Sequence, residues 1–307
     1  MCLPDDFLGQ QAPLLRSLTF DGIHPGFESH LPLPSLVEFK LCLPEGAGPF
    51  RIDALFRSLS GCPWLQKICI KSKETSQDIT LDQIISLESL VELDYTYRPA
   101  GRVLPCLRLP RLKKLSVSSS FGSGQEQSLA SLLPHGGHAL LTGVTKMSYW
   151  SYDSSLGVKF SGKGTDVSFD IFRPAADHAL VGWLFDEACI PFGQIEDLKV
   201  GGFTTVDFPI NFPIFKNLKV LRIILLNAQL VETVLRSLHP HPETGTPCRP
   251  LQRILCACWE SLGPLVNLAR ERKRVGHRLR SVWIHDRHKS NQDLVEELEQ
   301  HVDEVRG

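Results

Sequence analysis

The chain has 307 residues, of which 42% are hydrophobic, 22% charged and 8% aromatic, and its formal net charge is −1. This is the composition of a globular chain and excludes a disordered or fibrous one; the near-neutral charge excludes a global electrostatic pull on nucleic acid or an anionic membrane. Nine cysteines at irregular spacing, behind a start containing Asp5 and Asp6 that is unlike a secretory signal, predict reduced thiols and a cytoplasmic or nuclear protein.

In chain order, one pattern recurs. The hexad apolar-x-x-apolar-x-apolar fits LRSLTF from Leu15, LVEFKL from Leu36, LQKICI from Leu65, LVELDY from Leu90 and LKKLSV from Leu112. It returns as VTKMSY from Val144, IEDLKV from Ile195, LKVLRI from Leu218, LQRILC from Leu251 and LRSVWI from Leu279. The intervals between these ten starts are 21, 29, 25, 22, 32, 51, 23, 33 and 28 residues, against the roughly 20–29 of leucine-rich repeats. The last two apolar positions of a hexad lie two apart, so they share one side of a short strand while their neighbours face the other.

Helical stripes separate several hexads. Ile52, Leu55, Phe56 and Leu59 have the spacing of one helix face, as do Val231, Val234, Leu235 and Leu238. Leu262, Leu265, Val266 and Ala269 follow, and Leu294, Leu298, Val302 and Val305 form the last. A short strand or a short helix cannot bury its apolar side alone, whereas strand on strand and helix on helix bury a continuous core. Pro63, Pro110, Pro134, Pro191, Pro213, Pro240 and Pro250 fall between helix and strand, where a missing N–H costs little. The expected fold is therefore α/β: a leucine-rich-repeat solenoid, a curved parallel sheet with helices on its outer side, running as a single array over residues 1–307.

The 51-residue interval departs from this rhythm. GVKFSG and DVSFDIF alternate like the strands of a hairpin around Lys163, Gly164 and Thr165, and Leu180, Val181, Leu184, Phe185 and Ala188 then form a helix face. The interval reads as an enlarged irregular repeat at about 150–192 or as a boundary between two sub-arrays. Residues 127–145, the longest uncharged stretch, hold Pro134, Gly136, Gly137 and two histidines, which argues against a membrane span.

Motifs of catalysis are not evident. Gly46-x-Gly48, Gly122-x-Gly124 and Gly162-x-Gly164 lack the third glycine of a dinucleotide fingerprint, its place being held by Arg51, Gln127 and Val167, and read as turns. His239, His241, Cys248, Cys256 and Cys258 lie close in sequence, but Cys256 occupies an inward hexad position and two prolines stiffen the histidine pair, so no metal is expected. Repeats that use the whole chain leave no space for a catalytic domain; neither enzymatic activity nor a cofactor is expected. The run ARERKRVGHRLR holds six Lys/Arg, and residues 291–305 hold six acids. These segments are expected to complement one another rather than to bind nucleic acid.

The residues that alternate with the core form two columns on the open side of the strands. The first runs Ser17, Glu38, Lys67, Glu92, Lys114, Lys146, Asp197, Val220, Arg253, Ser281. The second runs Thr19, Lys40, Cys69, Asp94, Ser116, Ser148, Lys199, Arg222, Leu255, Trp283. Glu38, Lys67, Glu92 and Lys114 alternate in sign and are expected to satisfy one another as lateral neighbours. Towards the C-terminus the face turns apolar: Val220, Ile224, Leu255, Ala257 and Trp283 surround Arg222 and Arg253. Val220, Arg222, Ile224, Arg253, Leu255 and Trp283 are the candidate partner-binding residues; the competing expectation is that a loop or the C-terminal helix covers them.

The stretches ALFRSLSGCPWLQKICI, IPFGQIEDLKV, SLGPLVNLARERKRVGHRLRSV and DLVEELEQHVDEV resemble the leucine-rich-repeat regions of the large fungal families of F-box-like proteins. The resemblance implies a substrate-receptor arm, in which an F-box docks on a Skp-type linker of a cullin ubiquitin ligase while the repeats present a target protein. LPDDFLGQQAPLLRSLTF begins with Leu-Pro as an F-box does, yet Gly9 and Pro13 interrupt any helix and the first hexad opens at Leu15. The expectation is a non-enzymatic protein-binding scaffold related to ubiquitin-ligase receptors, with linker binding only where a longer form carries the F-box. The alternative is a free-standing binding module or a fragment without a ligase role.

Overall fold

The computed structural model describes residues 2–3, 12, 14–25, 33–44, 51–75, 83–98, 103–120, 129–152, 155–172, 190–202, 211–225, 227–241, 243, 245–257, 262–284 and 292–307. Its longer strands are β1 (Ser17–Asp21), β2 (Glu38–Leu43), β3 (Lys67–Thr75), β4 (Glu92–Arg98), β5 (Lys114–Ser120), β6 (Val144–Tyr152) and β7 (Ser155–Gly162). They continue with β8 (Thr165–Phe172), β9 (Asp197–Gly202), β10 (Val220–Leu225), β11 (Arg253–Cys256), β12 (Ser281–Ile284) and β13 (Glu304–Arg306). The described α-helices are α1 (Ile52–Ser60), α2 (Ala228–Arg236), α3 (Leu262–Arg274) and α4 (Gln292–His301). The fold is α/β, with mostly parallel sheets. Every hexad is a strand, while β13 is one that the hexads do not announce.

The chain divides into two compact units, residues 1–142 with 164–174, and residues 143–163 with 175–307. Both changes of unit near residues 143 and 164 fall around the long interval between hexads. In the first unit β8, β5, β4, β3, β2 and β1 lie side by side in that order, all parallel. In the second the order is β7, β6, β9, β10, β11, β12, β13, parallel except for the antiparallel pair β6 and β7. The segments GVKFSG and DVSFDIF lie within β7 and β8 respectively, and Gly164 in the turn after β7 adopts a φ of 86°, a conformation that favours glycine.

The hexad explains the local structure. Its opening residue closes a tight turn onto a carbonyl three residues earlier, as Leu36 does to Leu33, Leu65 to Cys62, Leu90 to Leu87, Leu112 to Leu109, Ile195 to Phe192, Leu218 to Phe215 and Leu251 to Cys248. The residues at both ends of each of these turns are buried. Pro34, Pro63 and Pro110 sit second in their turns, where a fixed φ suits type I geometry. The next two amides then both donate to one carbonyl of the preceding repeat: Val37 and Glu38 to Arg16, Val91 and Glu92 to Gln66, Lys219 and Val220 to Glu196, Arg280 and Ser281 to Gln252. Each strand therefore starts at the same level as its neighbour, and the remaining apolar pair points inward. Leu218, Leu221 and Ile223 are all 0% exposed.

The side opposite the open strand face is varied. Ile52, Leu55, Phe56 and Leu59 of α1 are buried, as are Val231, Val234 and Leu235 of α2 with Leu238 just beyond its end, and Leu262, Leu265, Val266 and Ala269 of α3. The Asn227 side chain caps α2 by accepting from the amides of Gln229 and Leu230. The last stripe needs correction. Leu298 is buried in α4 and Val302 just after it, but Val295 is buried rather than Leu294, and Val305 lies in β13 opposite Val282. Elsewhere short 3-10 turns occur, as at Leu104–Cys106, Phe192–Gln194 and Phe212–Ile214. The expected helix face at Leu180 to Ala188 lies outside the described residues, as do Gly46, Gly48, Gly122, Gly124 and the segment containing Gly9 and Pro13.

Candidate functional site

Strand register assembles the columns. In the first unit Ser17, Glu38, Lys67, Glu92 and Lys114 are successive lateral partners, as are Thr19, Lys40, Cys69, Asp94 and Ser116. Glu92 lies 2.8 Å from Lys114 and 3.5 Å from Lys67, and the hydrogen bond from Lys114 holds its carboxyl below the usual range. Asp94 accepts from the Cys69 thiol at 3.6 Å and pairs with Lys71 at 3.5 Å. Burial, with the charge of Asp94 behind it, pushes the Cys69 thiol up to about 11. Lys67, Lys71 and Lys114 are thus met by carboxylates, while Glu38 and Lys40 make no ion pair among the described residues.

The second unit differs. Its first column is Lys146, Asp197, Val220, Arg253, Ser281 and its second Ser148, Lys199, Arg222, Leu255, Trp283, all in register. β13 extends both columns by Glu304 and Arg306. Arg222 grips Asp197 through two bonds, 3.0 Å from Nε and 2.9 Å from Nη2, which raises the guanidinium's pKa and fixes the side chain over the sheet. Arg306 sits 5.0 Å from the centre of the Trp283 ring, a cation–π contact, and its Nε bonds Glu304.

These residues border a groove of about 610 Å3 whose sides include Arg222, Ile224, Leu255, Ala257, Trp283 and Arg306. Ile224 is 45% and Trp283 43% exposed, unusual for large apolar side chains that stand together. Of the six residues expected from the sequence, Arg222, Ile224, Leu255 and Trp283 line the groove. Val220 and Arg253 are lateral partners one level nearer the strand starts and lie beside it. Arg306 was missed, because the run leading to it reads as a continuing helix stripe and the three residues Glu304, Val305 and Arg306 are too few for their alternation to mark a strand. Of the two covers expected, the C-terminal helix α4 packs against α3 and β13, and the connecting segments 258–261 and 285–291 that follow β11 and β12 lie outside the described residues.

The basic and acidic runs meet as expected. Arg270 pairs with Glu297, Arg278 with Asp303 at 3.1 Å, and Lys273 donates to the Gln300 carbonyl at 2.8 Å. Arg272 is different: it is 0% exposed and donates to the carbonyls of Pro247 and Cys248 at 3.0 Å and of Arg249 at 3.5 Å. It clamps the turn into β11, where Cys248 takes a φ of 47°, the one positive value for a non-glycine residue among those described. Cys248 donates its thiol to the Phe212 carbonyl at 3.2 Å, and burial pushes it up to about 12. Cys256 is buried and His241 exposed, while Cys258 lies outside the described residues. No group of three or more His, Cys, Asp or Glu side chains able to hold a metal occurs among the described residues.

No family model, no curated protein and no solved structure matches the chain. Among the described residues no helix is long and apolar enough to cross a membrane.

Proposed function

We propose that this chain is a non-enzymatic scaffold that binds another protein through the strand face of its second unit, and that its repeats form a leucine-rich-repeat solenoid. The observation that carries the reading is the groove around Ile224, Leu255 and Trp283. It is apolar, open, and edged by two arginines that partner side chains already hold in place. Aromatic and arginine anchors in such a setting supply most of the energy of protein interfaces. The two sets of five in-register hexads, one in each unit, support the solenoid. The resemblance to F-box-like proteins supports a role as the substrate-recognition arm of a ubiquitin-ligase receptor in the cytoplasm or nucleus, with a Skp-type linker engaged by a form that carries an F-box.

Site-specific photo-cross-linking in cell extract tests the reading. A cross-linker placed at Ile224 should capture discrete protein adducts that are lost with Trp283→Ala, whereas one at Arg236, exposed on α2, should not. Equal capture from both positions, or none from either, refutes the face. A Skp-type linker and cullin co-purifying with a longer form that carries an F-box would place the chain in a ligase, and their absence from that form would remove the role.

A further inference from the structure

The charge left over on the second unit's strand face identifies the chemistry of its partner. Including β13, the two columns carry five cations, Lys146, Lys199, Arg222, Arg253 and Arg306, against two carboxylates, Asp197 and Glu304. Both carboxylates are engaged, Asp197 by Arg222 and Glu304 by Arg306. Lys146, Lys199 and Arg253 are exposed and make no ion pair among the described residues. Lys199 is the lateral neighbour of Arg222, and Arg253 lies on the strand of Leu255, two residues before it. Unpaired positive charge thus flanks the apolar groove. The first unit shows the contrast: there Glu92 and Asp94 answer Lys67, Lys114 and Lys71.

Neighbouring strands lie about 4.8 Å apart, so the floor from Ile224 on β10 to Trp283 on β12 is about 10 Å across, the width of one bulky side chain. We infer that the strand face of the second unit binds an acidic protein segment, with one aromatic or branched apolar side chain seated between Ile224 and Trp283 and flanking carboxylates meeting Lys199 and Arg253. This rests on the strand-face reading and adds the partner's sequence chemistry to it. A nucleic acid fits less well, because the cations are few and the exposed indole already carries Arg306 on its ring.

The test is fluorescence polarisation with a short labelled peptide of glutamates and aspartates around a central phenylalanine. Companion peptides carry alanine for the phenylalanine, serine for the acids, or lysine for the acids. The acidic phenylalanine peptide should bind about tenfold more tightly than the alanine and serine versions, and the lysine version should not bind. Lys199→Glu and Arg253→Glu should each weaken it several-fold and Lys199→Gln and Arg253→Gln by less, with unchanged circular dichroism. Raising salt from about 0.05 to 0.5 M should weaken binding as the pairs are screened. Equal affinity for the serine peptide, indifference to Arg253→Glu, or full competition by polyuridylate would each overturn the inference, the last by assigning the face to nucleic acid. Protein adducts from position 224 together with failure of the acidic peptide would remove this inference alone; loss of both would remove the strand-face reading as well.

Discussion

Replacing Arg272 by methionine removes a guanidinium while keeping most of its volume. Two bonds of 3.0 Å to the carbonyls of Pro247 and Cys248 disappear, with the longer contact to Arg249. Hydrogen bonds from a charged donor contribute about 1.5–3 kcal/mol each, a gross loss of about 3–6 kcal/mol. Set against this is the cost of keeping an unpaired cation out of water. The side chain is wholly buried, its Nε has no partner among the described residues, and burial depresses its pKa to about 10. Removing that desolvation returns on the order of 2–3 kcal/mol, so the variant should be less stable by about 2 kcal/mol, within a span of about 0–4 kcal/mol. Urea denaturation gives the global value. Amide exchange gives the place: protection should fall at Leu251, whose amide donates to Cys248, and at Gln252 and Arg253, which donate to Lys219. Arg236→Met, which removes an exposed pair with Glu232, should cost under about 1 kcal/mol. If the two variants unfold alike and the three amides keep their protection, Arg272 is not the clamp described.

Gly157 faces Trp150 across β6 and β7, and a Cβ there would lie 1.9 Å from the indole; Gly157→Ala should cost about 1–3 kcal/mol by overpacking, checked by the urea midpoint and by fluorescence against a Trp150→Phe background. Ile223→Ala opens a cavity in a fully buried position and should cost about 2–5 kcal/mol, read in the same assay. His239, His277 and His301 all have depressed pKa values, burial being the first cause in each. The unfolded chain therefore takes up protons first as pH falls through about 6.5, and stability should decline from about pH 7.5 to 5.5. Changing the three to glutamine should flatten that slope, and a slope that persists would show that other groups cause it.

The strands were readable in the residues because each hexad pairs one-sided burial with a spacing that hydrogen-bond register then preserves. Lys67, Glu92 and Lys114 could be placed as neighbours from their hexad positions alone. What lay between strands was less readable. Phe192 and Phe212 enter 3-10 turns of three residues each, too short to show a helical period in the residues. Val305 was drawn into the preceding helix by its three-residue offset from Val302, and β13, at three residues, is too short for alternation to announce itself. The groove inherits that error: Leu255 and Trp283 were apparent as exposed apolar positions, whereas Arg306 depended on a strand that only the register reveals.

The shared starting level of the strands also separates two kinds of change that could befall this chain. Substitution at a column position alters what the face presents without touching the apolar residues on its other side, so the surface can be rewritten one residue at a time while the core is left alone. An insertion within a hexad would invert every side chain after it in that strand, whereas one of equal size between strands would leave the pattern unaltered. Variation that preserves the fold should therefore collect in the columns and connecting segments.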